Sequence, residues 1–234
     1  MLRMKRIPDA VQCAALIAIA QRASGMASPA RVDMTAALRA ALNRGRPWQV
    51  RGLGHITLGV LLGAELRQGP HGVLDDTDVL YFLEREARKG PSITRPFSAL
   101  GLALAAYDGP SSSRPTAAAL RGIRETMRWG LRHARGSDQV VGAYAVGAGL
   151  SQAEGARPLL LGMLQDVNRD FVLRGHCALA LGQLGRTTAD VTAALLEATR
   201  ERVSPFIQQQ AVRALSLLDI PDIRRELVAQ LAGK

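Results

Sequence analysis

The sequence predicts an all-α protein built as a solenoid of about six helical hairpins. Small and aliphatic residues crowd one helix-like segment, 171–185, and the segment 206–219 repeats that pattern 34 residues later. Similar segments end near residues 24, 63, 108 and 151, so the end points recur every 34 to 45 residues. Self-similarity at a period of this size is typical of an α-solenoid. No stretch alternates long enough to predict a strand.

The helix cores carry a resemblance to a known family. The cores that end in ALGQLG at 180–185 and in LALAA at 102–106 resemble the HEAT repeat family, above all the short bacterial HEAT-like repeats found in phycobilisome lyases. The resemblance covers nearly the whole chain. It implies a right-handed superhelix whose second helices line a concave surface. It implies little about the ligand, because HEAT arrays serve many roles.

Each predicted hairpin is bounded by breakers and caps. Gly185 accepts a positive φ cheaply and ends its helix. The polar stretch 64–73 contains Gly-Pro and Gly breakers, so we expect it to be a loop. We expect one continuous repeat array over 1–234, with hairpins at 9–43, 47–89, 94–135, 137–167, 170–202 and 205–231. An array of this kind is one structure rather than two globular domains.

The composition indicates an aliphatic core, few aromatic residues and an uneven positive charge. The chain is 47% hydrophobic but only 4% aromatic. It can therefore build an aliphatic core but offers few platforms on which bases could stack. The formal charge is +10. Residues 1–110 carry +5, residues 111–136 carry another +5, and residues 137–234 are neutral. Half of the positive charge therefore lies within one short segment.

The cysteines and the apolar runs say little about location. Cys13 and Cys177 both occupy apolar helical positions, so we interpret them as small buried hydrophobes. The longest apolar runs, such as 14–20, are too short to cross a bilayer, which needs about 20 residues. Basic residues before that run resemble the start of a signal peptide, but Pro8 and Asp9 interrupt the region between them. We therefore interpret the run as part of a repeat helix. We expect a cytoplasmic protein, or an exported one if the chain is a piece of a longer secreted parent.

The sharpest candidate site is a row of arginines on the helix predicted at 115–135, which we call the arginine stripe. Its members recur at steps of 3, 4, 4 and 3 and fall within a sector of about 80° on a helix. They are Arg121, Arg124, Arg128, Arg132 and Arg135. Leu120, Ile123, Met127, Leu131 and Ala134 form the adjoining apolar face. Trp129 lies on the exposed side and is either a contact residue or a packing residue.

The stripe has four interpretations. It could follow a phosphate backbone, hold an acidic protein segment or lie on anionic lipid. It could also be a solvated face whose arginines cover apolar neighbours and pair with acids on adjacent helices. Acids are available on neighbouring hairpins for such pairing, for instance Glu84, Glu86 and Glu154.

The other candidate residues favour structural interpretations. Asp75, Asp76 and Asp78 open a predicted helix, where carboxylates complement the helix dipole, and no calcium-loop spacing follows them. His176 and Cys177 are adjacent in a helix, so their side chains diverge and do not form a metal site by themselves. No nucleophile, P-loop or dinucleotide motif is present in the sequence. We therefore predict no catalytic residue, no metal and no cofactor.

These observations predict a non-enzymatic scaffold that binds a protein partner through a concave, partly basic surface. The alternative is a nucleic-acid-binding protein that uses the arginine stripe. Some alkylpurine DNA glycosylases are similar arrays, but their aromatic cluster and catalytic carboxylate have no counterpart that we can place on this chain. The phycobilisome lyase resemblance implies a third function, chromophore attachment. The oligomeric state is left open.

Overall fold

The computed structural model describes residues 8–42, 46–67, 76–107, 117–134 and 136–218, which form helices joined by turns and short irregular segments and contain no strand. The first helices are α1 (Asp9–Arg22), α2 (Ser28–Ala41), α3 (Trp48–Leu66) and α4 (Asp76–Lys89). Next come α5 (Arg95–Ala106), α6 (Ala117–His133), α7 (Asp138–Leu150) and α8 (Arg157–Gln165). The last are α9 (Phe171–Gln183), α10 (Ala189–Thr199) and α11 (Pro205–Leu217). Short 3₁₀ turns follow α1 and precede α8.

The chain divides into two compact units, which meet within α6, after Thr126. In the first unit, α3 packs between α1 and α5, and α2 and α4 flank this row. In the second unit, α9 packs between α7 and α11, and α8 and α10 flank that row. Each unit is therefore a solenoid-like stack of helical hairpins, and the predicted all-α solenoid class is confirmed. The right-handed twist stays a prediction.

Close backbone approach holds the central helices together. A Cβ added to Gly59 of α3 would lie 2.0 Å from the carbonyl oxygen of Gly101 in α5. A Cβ on Gly182 of α9 would lie 2.4 Å from the Cα of Ala214 in α11. A side chain cannot rotate away from a clash with backbone. Glycine is therefore required at these positions by packing, and Ala and Leu fill the space around them.

Most predicted helix boundaries agree with the structure, and three do not. The stretch predicted as a loop from residue 64 begins too early, because α3 continues to Leu66. The hairpin predicted at 137–167 ends earlier, at Gln165, and a 3₁₀ turn precedes its second helix, α8. The hairpin predicted at 170–202 ends its second helix at Thr199, beyond which a Glu201 carboxylate oxygen accepts a hydrogen bond from the Val203 N–H. The part of the hairpin predicted at 205–231 that follows residue 218 lies outside the described residues.

Local capping explains where several helices begin or end. Gly185 has a φ of +70° directly after α9, as its position predicted. Asp170 caps α9 by accepting a hydrogen bond from the Val172 N–H at 2.8 Å. Ser204 does the same for α11 through the Ile207 N–H. These side chains satisfy amide groups that have no partner inside their helix.

A buried ion pair explains why α3 runs past its predicted end. Arg31 of α2 and Glu65 of α3 are both fully buried and bonded to each other. The Ser28 hydroxyl donates to the second Glu65 oxygen at 3.0 Å. Arg31 also donates to the carbonyl oxygens of Ala23 and Met26, in the turn between α1 and α2. The pair therefore joins the start of the first unit to the end of α3.

A buried histidine lies in the same unit. The Nδ1 atom of His55 and the hydroxyl oxygen of Ser98 lie 2.8 Å apart and share a hydrogen bond, and the Phe82 ring meets the imidazole edge-on. Burial lowers the pKa of His55 to about 4; the nearby Arg51 lowers it as well, and Glu86 opposes the shift. The imidazole is therefore neutral near pH 7.

We predict that Arg31→Met lowers the free energy of unfolding by about 3–5 kcal/mol, because it leaves the Glu65 carboxylate buried without its partner. The matched control is Arg39→Met, which removes an exposed pair with Asp78 and should cost less than about 1 kcal/mol. Urea unfolding followed by circular dichroism measures both. Equal losses in the two variants would contradict the role of the buried pair.

The glycines give a second test. Gly59→Ala should destabilise the first unit by about 1–3 kcal/mol, since the methyl group meets backbone. Gly162→Ala, in α8, should instead stabilise by about 0.5–1 kcal/mol, because nothing lies within 4 Å of the added Cβ and alanine favours the helix. Thermal unfolding separates the two directions. A stabilised Gly59→Ala would show that the helices do not approach this closely.

Stability should also depend on pH through His55. The unfolded chain takes up the imidazole proton below about pH 6.5, whereas the folded chain does so only near pH 4. The contribution of neutral His55 to the free energy of unfolding is therefore fully present above pH 6.5 and falls, by about 3 kcal/mol, as the pH drops to 4. His55→Gln should flatten this part of the profile in urea unfolding measured at several pH values. An unchanged slope would refute the assignment.

Candidate binding surface on α6

The apolar side of α6 is buried as predicted. Ile123 and Met127 are fully buried, and Leu131 nearly so. Leu120 and Ala134 are partly buried at the two ends of this face. In the second unit, a Cβ on Gly130 would lie 2.0 Å from the Tyr144 ring of α7, which shows how closely this part of the helix packs. Burial of one side fixes the rotation of α6 and so determines which residues face solvent.

The arginine stripe lies beside that buried face. Arg121 and Arg132 are exposed, and Arg124 and Arg128 are partly buried. Arg121 and Arg124 belong to the first unit, whereas Arg128 and Arg132 belong to the second. Arg135 lies outside the described residues. The spacing that defined the stripe in the sequence is therefore kept on one continuous helix.

Two of the three acids named above, Glu86 and Glu154, pair with arginines outside the stripe. Glu86 pairs with Arg85 at 3.2 Å. Glu154 pairs with Arg157 and lies 3.9 Å from Arg186. Within the described part of the chain, Arg121, Arg128 and Arg132 take part in no ion pair. Pairing with Glu86 and Glu154 thus does not account for Arg121, Arg128 and Arg132.

Glu84 lies against the backbone of α6. One of its carboxylate oxygens would be 2.5 Å from a Cβ on Gly122 and has no hydrogen-bond partner among the residues that the structure describes. Burial raises the pKa of this carboxyl, an effect that Arg88 opposes and Glu125 reinforces. The Arg88 guanidinium donates to the hydroxyl of Thr126, at 2.9 Å through Nη2. These contacts tie α4 to the first-unit part of α6.

Two further contacts involve the part of α6 that belongs to the second unit. Trp129 is half-buried, and its ring stacks on that of His133, with centroids 5.6 Å apart and planes inclined by 24°. Arg128 passes over the 3₁₀ turn at Gly155, where an added Cβ would lie 3.1 Å from its Nη1 atom. Gly155 therefore leaves room for the Arg128 side chain. Trp129 contacts its own helix, which is compatible with either of its predicted roles.

The remaining candidates are structural where they are described. Cys177 is fully buried, and burial raises the pKa of its thiol to about 12, so the thiol is protonated near pH 7. Cys13 is only half-buried. His176 meets the Phe206 ring edge-on, and burial lowers the pKa of its imidazole. Asp78 pairs with Arg39 at 3.1 Å, and Asp75 lies outside the described residues.

Across the described ranges, no group of three or more potential metal ligands comes together. In the same ranges, no helix is both long and apolar enough to cross a membrane. Sequence reasoning missed the Arg31–Glu65 pair, because nothing in the two local sequences connects residues that far apart. It also did not single out Arg174 as a candidate residue, although the Arg174-Gly175 pair in α9 repeats the Arg51-Gly52 pair in α3.

Comparison with known proteins adds little. No family model matches the chain, and no curated protein sequence matches it. The solved structure of human deoxyhypusine hydroxylase in complex with glycerol is similar over 92% of this chain and 81% of that chain. The sequence identity is 18% and the TM-score is 0.40. A similarity at that score carries no argument about function.

Proposed function

We propose that this chain is a HEAT-like scaffold without catalytic activity, which binds an acidic segment of a protein partner along the arginine stripe. The observation that carries the proposal is the position of these arginines. They follow one side of α6, and Arg121, Arg128 and Arg132 have no acidic partner within the described residues. Three arginines that the described residues do not neutralise favour a ligand of opposite charge.

The spacing of the stripe suits a regular ligand. Steps of three and four residues along a helix correspond to about 4.5 and 6 Å. An acidic helix with carboxylates at the same steps presents its charges at the same intervals. The shortage of aromatic residues favours a protein over single-stranded nucleic acid, whose binding surfaces use aromatic stacking. Duplex nucleic acid is the competing ligand, because phosphates also attract arginine rows.

We expect a helical peptide with four glutamates at steps of 3, 4 and 4 to bind the wild-type chain near physiological salt. Changing Arg121, Arg124, Arg128 and Arg132 together to Gln should weaken binding about tenfold or more, because each exposed pair contributes about 0.2–1 kcal/mol. Fluorescence anisotropy of the labelled peptide measures this change.

The matched control changes four exposed arginines outside α6 to Gln: Arg22, Arg186, Arg202 and Arg213. It removes the same net charge and should keep most of the affinity. Equal weakening by both variants would mean that only net charge matters and would contradict the proposal. If labelled duplex DNA binds more tightly than the peptide, and the stripe variant alone loses it, nucleic-acid binding replaces protein binding.

A further inference from the structure

The second unit contains a groove between α8 and α10, with α9 beneath it. Its volume is about 200 Å³. The floor is apolar and consists of Leu164, Ala194 and Ala198, each of which is at most 6% exposed. None of the residues that line the groove belongs to α6, so it is separate from the arginine stripe.

Charged groups form one wall of the groove. Ala194, Glu197 and Ala198 share one side of α10, and Glu201 joins them from the turn that follows the helix. Arg174 of α9 donates to the Leu164 carbonyl oxygen through Nε at 2.9 Å and to Glu201 through Nη2 at 3.1 Å. Arg174 therefore closes the end of α8 and neutralises Glu201.

The carboxylate of Glu197 is left as the net charge of the groove lining. Glu197 is exposed and makes no ion pair within the described residues. The hydrogen bond from the Val203 N–H and the nearby Arg174 hold the pKa of Glu201 below its usual range. The groove thus combines an apolar floor with one unneutralised negative charge at its edge.

We propose that this groove binds a lysine or arginine side chain from a segment of a partner protein. The aliphatic stem of such a side chain fits the floor of Leu164, Ala194 and Ala198, while its cationic head reaches Glu197. Long basic side chains regularly bury their stems against apolar surface and keep the charge in a polar environment. An acidic or uncharged polar side chain would leave either the floor or the carboxylate without a complement.

The proposal goes beyond the scaffold function, since it gives the partner a basic contact in addition to an acidic one. It does not depend on the stripe. A partner that binds only through the stripe would leave the groove empty. Failure of the groove proposal can be told apart from failure of the stripe proposal, because the groove is tested with separate probes.

The test uses three probes on the full chain: Nα-acetyl-lysine amide, Nα-acetyl-arginine amide and Nα-acetyl-norleucine amide, whose stem resembles that of lysine without the ammonium group. Methyl NMR spectra are recorded during titration to millimolar concentrations. We expect the lysine and arginine probes to shift the methyl signals of Leu164, Ala194 and Ala198. The norleucine probe should shift them much less at the same concentration.

Glu197→Gln should weaken binding of the lysine probe about fivefold, as expected for one partly exposed charge pair. Asp33→Asn, on the exposed surface of α2, removes the same charge elsewhere and should leave the affinity unchanged. Glu197 is exposed, so its substitution leaves the fold intact. Equal binding of the lysine and norleucine probes, shifts confined to other methyl groups, or equal weakening by Glu197→Gln and Asp33→Asn would overturn the proposal.

Discussion

The close approach of neighbouring helix backbones is the constraint on which each unit depends. Where Gly59 faces Gly101, and where Gly182 faces Ala214, the helices lie too close for any larger residue on the glycine side. This spacing lets short aliphatic side chains fill the core, so the protein needs few aromatic residues. It also determines the position of the flanking helices α2, α4, α8 and α10, because these pack onto the row that the central helices form.

Polar contacts add specificity to this aliphatic core. A buried Arg31–Glu65 pair fixes α2 against the end of α3, and Arg174 performs a similar role between α8, α9 and the turn after α10. Each guanidinium caps carbonyl oxygens as well as pairing with a carboxylate. Such bonds satisfy groups at helix ends that an aliphatic core leaves without partners.

The helices and their order could be predicted from the sequence because the repeat carries a local signal. Small residues, Gly185 and the caps at Asp170 and Ser204 all act within one turn of the positions they affect. The end of α3 could not be predicted, because Glu65 belongs to the helix through its bond to Arg31 in another helix. The buried face of α6 could be predicted from its periodicity. The pairing of Glu154 with Arg157 and Arg186 could be seen only in the structure. The groove at Glu197 likewise depends on α8 and α9 as much as on α10.

A charge-swap experiment tests the central claim most directly. Arg121 and Arg132, the two exposed members of the stripe, are changed to Glu, and the first and last of the four glutamates of the acidic peptide are changed to Lys. Our account predicts that either change alone strongly weakens binding and that the two together restore it, because opposite charges again face each other at all four positions. Failure of the double swap to recover any affinity, with both proteins folded, would contradict the claim that α6 binds through these arginines.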